Sequence, residues 1–205
     1  MQKNNMPMLG SIAPKFVANS TFGPLKITDY IGKWIIFFSH PASFTPVCTT
    51  EIISFAKYND EFKKRNCELL GLSVDNSPSH LAWIKDIEKN SGVHIPFPII
   101  SDSDRSVSNM YGMIPNSSTL TNTVRNIFII DPNQMIRCIL IYPMENGRNI
   151  SEILRMVDAL QITDNENVST PANWVPGMAT IVSSPQNYGE LMDNIKMNNN
   201  KNCMD

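Results

Sequence analysis

The chain has 205 residues, 42% of them apolar, and its 17 Lys and Arg residues nearly balance 19 Asp and Glu residues, for a net charge of −2. This length suits one domain of ordinary size, or one domain plus a small appendage, and the apolar fraction excludes a disordered chain. The balanced charge argues against a nucleic-acid partner, and no apolar run approaches the length of a membrane span. Because the first ten residues hold no apolar signal core, we expect a cytoplasmic protein with no membrane partner.

The first half of the chain is predicted to alternate strands with helices. Residues 33–39 are an unbroken apolar, aromatic and β-branched run, which predicts a central strand covered on both faces. Residues 49–65 place their apolar side chains on one helical stripe, and residues 68–74 predict a second buried strand. Ser77 followed by Pro78 marks the start of another helix, which keeps helical spacing to residue 89.

The second half is predicted to add antiparallel strands and a last long helix. After a short strand at 99–100, residues 126–130 and 135–142 flank a turn-type linker and predict a β-hairpin. Residues 149–160 have the spacing of an amphipathic helix. This sequence of elements predicts an α/β fold with a mixed central sheet flanked by helices, which is the thioredoxin-like order.

The composition of the sequence changes near its C-terminal end. A proline-rich connection leads to a predicted strand at 180–182, a predicted helix at 188–195 and an Asn-rich tail. This part is too small to fold alone. We therefore assign residues 1–165 to a thioredoxin-like domain and residues 166–205 to a small arm and tail that dock on that domain or on a partner chain.

Four scattered cysteines form no CxxC motif, and the three histidines have no paired spacing, so no zinc site is predicted. In a reducing compartment such cysteines are usually buried and inert. Cys67 and Cys138 lie in predicted strands and are expected to be core residues of this kind.

The segment before the first long helix differs, because it places Cys48 in or near the first helical turn. Unpaired backbone N–H groups and the positive end of the helix dipole favour an anion there, and thus the nucleophilic thiolate. Thr45 can bring its hydroxyl close to the sulfur, while Pro41 and Pro46 stiffen the loop. A strand-to-helix turn with a buried cysteine and a capping threonine explains the same residues, and the pattern alone leaves both interpretations open.

The longer motif around this cysteine resembles the peroxidatic loop of peroxiredoxins, in the branch of the 1-Cys enzymes and their archaeal-type relatives. The loop residues are Phe38-Ser39-His40-Pro41 and Phe44-Thr45-Pro46-Val47-Cys48-Thr49-Thr50-Glu51. Further matches in the same order are Gly71-Leu72-Ser73-Val74-Asp75, Arg125, Tyr142-Pro143, Gly147-Arg148-Asn149 and Thr170-Pro171-Ala172-Asn173-Trp174. The resemblance covers nearly the whole chain except its ends. It implies a thioredoxin-like fold with a C-terminal dimerisation arm.

The resemblance also implies an activity and its principal residues. The protein is expected to reduce hydrogen peroxide or small organic hydroperoxides in antioxidant defence, without metal, haem or flavin. Cys48 matches the peroxidatic cysteine, whose thiolate attacks the peroxide and becomes sulfenic acid. Thr45 matches the hydroxyl that binds the peroxide, Pro41 the residue that shields the sulfur, and Arg125 the guanidinium that holds the thiolate and polarises the peroxide.

Three further residues match supporting positions in the family. Glu51 and Arg148 match residues that orient the catalytic arginine, although each alone is more often an ordinary helix-surface charge or a cap. His40 matches a histidine near the peroxidatic cysteine, and its alternative is a structural role at a strand end.

The sequence does not decide which thiol reduces the sulfenic acid of Cys48. Cys203 stands in the tail roughly where archaeal-type relatives carry a resolving cysteine, so a disulfide between Cys48 and Cys203 is one possibility. An external thiol, from a thioredoxin-like protein or of the glutathione type, is the other. The family further implies a homodimer or a decamer made of dimers. The rival functional hypotheses are a peroxide-sensing redox switch or chaperone-like oligomer and, with no CxxC to support it, a general disulfide exchanger.

Overall fold

The structure is a computed structural model, and it describes residues 6–115, 121–182 and 188–189. The chain divides into two compact units, Met1–Leu154 and Arg155–Asp205, with the division inside the last long helix. Within the part of the chain that the structure describes, no helix is both long and apolar enough to cross a membrane. The predicted domain boundary after residue 165 stays a prediction.

A seven-stranded mixed sheet organises the first unit, in the order β2-β1-β5-β4-β3-β6-β7. The central strand β3 runs parallel to β4 and antiparallel to β6, so the predicted mixed sheet is confirmed. The strands are β1 (Val17–Ser20), β2 (Gly23–Lys26), β3 (Trp34–Ser39), β4 (Cys67–Ser73), β5 (Ile99–Ser101), β6 (Arg125–Ile130) and β7 (Ile136–Tyr142). The helices of this fold are α1 (Pro46–Lys57), α2 (Asn59–Lys64), α3 (Ser77–Ser91), α4 (Ser106–Met110) and α5 (Ile150–Glu166), with a 3-10 turn at Ile27–Tyr30.

The two faces of β3 carry the core, because successive side chains of a strand point to opposite faces. On one face Phe37 packs edge-on against Tyr111, with ring centroids 4.9 Å apart. On the other face Phe38 stacks on Phe55 of α1 at 4.2 Å. The second contact fixes α1 against the sheet, and it therefore fixes the helix that carries Cys48.

Helix boundaries show where the sequence prediction was incomplete. The predicted helix 49–65 is two helices, because α1 ends at Lys57 and the backbone of Tyr58 leaves the helical region at ψ 3° before α2 begins. The start of α1 is at Pro46, where a missing N–H costs nothing in the first turn. Helix α4 was not predicted: it has five residues, too few to show a period, and the Asp102 carboxylate accepts the N–H groups of Val107 and Ser108.

The second unit contains the end of α5 and a small antiparallel pair, β8 (Val168–Ser169) and β9 (Ile181–Val182). Strand β9 confirms the strand predicted at 180–182. The Trp174 side chain is buried, its indole N–H donates to the Met178 carbonyl, and its own carbonyl accepts from Arg155. Of the predicted helix 188–195, only Tyr188 and Gly189 fall in the described ranges, where both are helical.

Candidate active site

Cys48 occupies the third position of α1, directly after the loop that leaves β3. Thr45 is the N-cap residue by its extended backbone, Pro46 follows at the first helical position, and the Cys48 side chain has no exposed surface. The sulfur thus lies in the first helical turn, where backbone N–H groups without helical partners stabilise an anion. The predicted placement of Cys48 is confirmed.

The loop brings Pro41 and Thr45 to the same end of β3. Pro41 is buried and Thr45 is half-buried. The Thr45 hydroxyl donates to the Ala42 carbonyl at 3.0 Å and caps no helical N–H. The structure therefore does not support the alternative in which Thr45 is a side-chain helix cap.

Arg125 is the first residue of β6, and its side chain reaches Cys48 of α1. Its Nη1 lies 3.4 Å from the Cys48 Sγ and donates to the Glu51 carboxylate at 2.6 Å. Its Nε and Nη2 donate to the Met144 carbonyl at 2.9 and 2.6 Å. Because its donors face three different groups, the orientation of this guanidinium is fixed.

Arg148 completes a buried set of charges with Glu51 and Arg125, which we call the arginine cluster. Two of its nitrogens donate to the two Glu51 oxygens at 2.8 Å, and Nη1 donates to the main-chain carbonyls of Ser39 and Asn126.

The Arg148 guanidinium also lies over the rings of Phe38 and Phe55. Burial lowers the pKa of Arg148, whereas the Glu51 carboxylate opposes this shift, and an arginine so paired keeps its proton.

The charge of the arginine cluster explains what it does to the thiol. Two guanidiniums and one carboxylate, all buried, leave one positive charge in surplus. An uncompensated buried charge is costly, and a thiolate at Sγ is the nearest group that can neutralise it. The surplus positive charge therefore faces the Cys48 sulfur, where it can pair with an anion.

His40 belongs to a second buried group, the histidine cluster of His40, His80 and Trp83. The His40 ring lies 5.9 Å from the His80 ring and 5.1 Å from the Trp83 ring, measured between centroids. Neither of its ring nitrogens has a hydrogen-bond partner among the residues that the structure describes. Burial above all, then His80, Arg148 and Arg125, places the pKa of His40 well below its usual range, so the ring is neutral.

Two other cysteines, Cys67 and Cys138, make no contact with this site among the described residues. Cys67 is buried at the start of β4, as expected of a core residue. Cys138 was predicted to be a core residue too, but it is only half-buried because β7 is an edge strand. Cys203 lies outside the described residues.

Sequence reasoning missed the main-chain ligands of the arginines. The carbonyls of Met144, Ser39 and Asn126 accept four hydrogen bonds from the two arginines, and a main-chain carbonyl cannot be recognised from residue type. Spacing alone gave no signal for this part of the site.

The chain matches two protein-family models. The model described as the AhpC/TSA family matches residues 9–139, and that of the C-terminal domain of 1-Cys peroxiredoxin matches residues 159–190. The chain is 54% identical over 200 residues to peroxiredoxin 2 of Caldanaerobacter subterraneus subsp. tengcongensis, which covers 98% of this chain and 90% of that protein. It belongs to the peroxiredoxins.

Other relatives agree with this membership. A peroxiredoxin of Aquifex aeolicus is 50% identical, with 96% of this chain and 86% of that protein covered. Among solved structures, peroxiredoxin 6 of Arenicola marina has a TM-score of 0.84 and 41% identity over 91% of this chain and 88% of that one. A yeast mitochondrial 1-Cys peroxiredoxin has a TM-score of 0.81 and 48% identity over 86% of this chain and 87% of that one.

These likenesses confirm the predicted thioredoxin-like fold and the predicted activity. The protein is a peroxiredoxin, an enzyme that reduces peroxides with thiols. The alternative of a peroxide-sensing switch or chaperone-like oligomer is not favoured.

Proposed function

We propose that Cys48 is the peroxidatic cysteine of this peroxiredoxin and that Arg125, Thr45 and Pro41 act with it. The observation that carries the proposal is the contact of 3.4 Å between the Arg125 guanidinium and the Cys48 sulfur inside a buried cluster with surplus positive charge. The substrates are hydrogen peroxide and small organic hydroperoxides.

In the reaction, the Cys48 thiolate attacks one peroxide oxygen and forms the S–O bond while the O–O bond breaks. The electron pair of that bond goes to the leaving oxygen, which takes a proton and departs as water or an alcohol. Cys48 is oxidised by two electrons to sulfenic acid, and the peroxide is reduced by two. Negative charge builds on the leaving oxygen, where donors of Arg125 and Thr45 stabilise the transition state.

The remaining candidates have supporting roles in the proposal. Glu51 and Arg148 hold the Arg125 guanidinium against the sulfur through the hydrogen bonds of the arginine cluster. Pro41, buried and without an N–H, keeps water from the thiolate. Burial places the pKa of His40 well below its usual range, and the ring contributes bulk and not charge.

A thiol returns the sulfenic acid to the resting state. It condenses with the sulfenic acid to a disulfide and water, and a second thiol then reduces that disulfide. The yeast 1-Cys relative acts via glutathione and thioredoxin systems, and we propose a donor of the same two types here. The first thiol comes either from Cys203 or from the donor itself.

We further propose a homodimer, alone or in a decamer of dimers, that works in the cytoplasm. Apolar residues of the second unit are exposed, and a second copy of the chain can cover them: Val175, Met178, Ile181 and Val182. The described cysteines form no disulfide among themselves, which suits a reducing compartment.

The decisive experiment treats reduced protein with one equivalent of hydrogen peroxide and maps the product by intact mass and peptide analysis. We expect oxidation at Cys48, either as sulfenic acid or as a disulfide with Cys203. Cys48→Ser abolishes peroxide consumption, while Cys138→Ser, a matched change in an edge strand, keeps it. Peroxide turnover by Cys48→Ser contradicts the proposal.

A further inference from the structure

The loop between β3 and α1 is held in a conformation that it does not favour by itself. We call residues 41–45 the peroxide loop, since it carries Pro41 and Thr45. Phe44 has a φ of +59° and a side chain that is 56% exposed. A bulky residue in the left-handed region is strained, and such strain persists only where neighbouring contacts fix the backbone.

One contact fixes this backbone from outside. The Ser43 N–H, next to Phe44, donates to the Asp75 Oδ2 at 2.6 Å. Across the described ranges, it is the only hydrogen bond from the peroxide loop to a residue outside the loop and α1. The other bonds of the loop join Thr45 to Ala42 and to Thr49, so they move with the segment and cannot tie it to the sheet.

Asp75 is itself well anchored. It lies two residues beyond the end of β4, and its N–H donates to the Ser73 hydroxyl at 3.1 Å. That hydroxyl is 2.8 Å from the Nε2 of His80, a buried residue of α3. The main chain of Asp75 is therefore tied to the end of β4, where the Ser73 hydroxyl also contacts α3, and the bond of its carboxylate to Ser43 is of the strong, charge-assisted kind.

We infer that Asp75 is a positioning residue for peroxide reduction, which holds the peroxide loop so that Pro41 and Thr45 stay in place over the Cys48 thiolate. The inference rests on the proposed function. Asp75 shares no hydrogen bond with the arginine cluster, whose members come from α1, β6 and the segment before α5. Its loss thus disturbs the binding of peroxide and leaves the nucleophilicity of the thiolate intact.

Two reactions of the same sulfur separate these effects. Peroxide must be bound and polarised by the loop, whereas iodoacetamide uses no hydrogen-bond donor of the loop and reports the nucleophilicity of the thiolate. For Asp75→Ala we expect the second-order rate constant with hydrogen peroxide to fall about 10- to 100-fold, the size of effect that a small misplacement of a reacting group produces. The rate constant for alkylation of Cys48 by iodoacetamide is expected to stay within about twofold.

Two further variants sharpen the test. Asp75→Asn keeps an oxygen that can accept from Ser43 and is expected to restore most of the peroxide rate. Asp60→Ala removes the same charge from the exposed surface of α2 and is expected to change neither reaction. Should Asp75→Ala fail to fold by circular dichroism, Asp75→Ser, whose hydroxyl is too short to reach Ser43, carries the same expectation.

Several outcomes overturn the inference. An unchanged peroxide rate in Asp75→Ala does so, and so does an equal fall in both reactions, since Asp75 then supports only the fold. Failure of Asp75→Asn to recover any rate also counts against it. A wild-type protein that does not react with peroxide rejects the proposed function instead, and the wild-type measurement therefore keeps the two failures apart.

Discussion

The two buried polar groups near the start of α1 are built in opposite ways. In the arginine cluster, charged groups are matched by many hydrogen bonds, among them both Glu51 oxygens and several main-chain carbonyls. In the histidine cluster, His40 is equally buried, yet both of its ring nitrogens lack a partner in the described chain. One group keeps its charges inside the protein, and the other keeps its ring neutral.

The difference shows that burial can lead either to a retained charge or to a neutral group. A charge is tolerated in the interior only when its neighbours replace the water it has lost, which Glu51 does for two arginines. A titratable ring without such neighbours gives up its proton instead, as His40 does. The arginine cluster therefore places positive charge beside the Cys48 sulfur, while His40 in the histidine cluster carries none.

The largest effect is expected from Glu51→Gln, which takes the only carboxylate out of the arginine cluster. Breaking a buried ion pair leaves two guanidiniums facing each other, and we expect the free energy of unfolding to fall by about 3–5 kcal/mol. The rate constant with peroxide should fall on the order of 100-fold, because Arg125 loses its fixed orientation. Chemical denaturation and stopped-flow kinetics measure the two quantities.

The surface of the protein offers a matched control for that change. Glu61 also pairs with two cations, Lys64 and Arg65, but it is 41% exposed against 3% for Glu51. Glu61→Gln is expected to change neither stability nor rate measurably, since water screens its pairs. Equal effects of the two variants would show that burial is not what makes the Glu51 pairing important.

A smaller effect is expected from Arg125→Lys, which keeps the charge and loses the geometry. An ammonium cannot span the Cys48 sulfur, Glu51 and the Met144 carbonyl at once. We expect a fall of about 10-fold in the peroxide rate with little change in iodoacetamide alkylation. A lysine variant with the full wild-type peroxide rate would show that the charge alone is sufficient.

The smallest effect is expected from His40→Phe, which changes how the free energy of unfolding depends on pH. Since the pKa of folded His40 is lowered, the unfolded chain binds a proton below about pH 6.5 that the folded chain does not, so stability is lost as the pH falls through that value. At pH 5.5 this loss is at most about 1.4 kcal/mol, the limit for a group that binds no proton in the folded chain. In His40→Phe it should vanish, so the variant loses less stability than the wild type between pH 7.5 and 5.5.

Urea denaturation of both proteins at the two pH values makes this comparison. Part of the pH dependence remains in the variant, because burial also lowers the pKa of His80. The comparison would fail if the free energy of unfolding changed equally with pH in wild type and variant. His40 would then bind its proton as readily in the folded protein as in the unfolded chain, and the two clusters would not differ as described.

Local patterns carried most of the fold prediction. The strands β3 and β4 were recognisable because their apolar runs are continuous, which is what burial on both faces requires. The break at Tyr58 and the short α4 were not, since they depend on backbone geometry and on a carboxylate contact from Asp102. Apolar periodicity also stopped short of the true end of α5, whose last residues are polar and exposed.

The candidate site was only partly visible in the sequence. Thr45 and Cys48 lie within four residues, so a local motif can reveal them, whereas Arg125 is 77 residues from Cys48 and reaches it only through the pairing of β3 with β6. The resemblance to a family pointed to Arg125, whereas the spacing of residues gave no sign of it. The link between Ser43 and Asp75 escaped both, because a main-chain N–H has no signature in residue type.

The two edges of the seven-stranded sheet have different consequences for aggregation. Strand β2 is a four-residue edge whose Pro24 offers no N–H, whereas β7 is a seven-residue edge without proline. An added strand can therefore extend the sheet well at β7 and poorly at β2. In a pair of copies joined through β7, both of the edge strands that pair well would be covered. Only the two β2 edges, which pair poorly, would stay exposed. Sheet growth would therefore stop at two copies and not continue into a fibre.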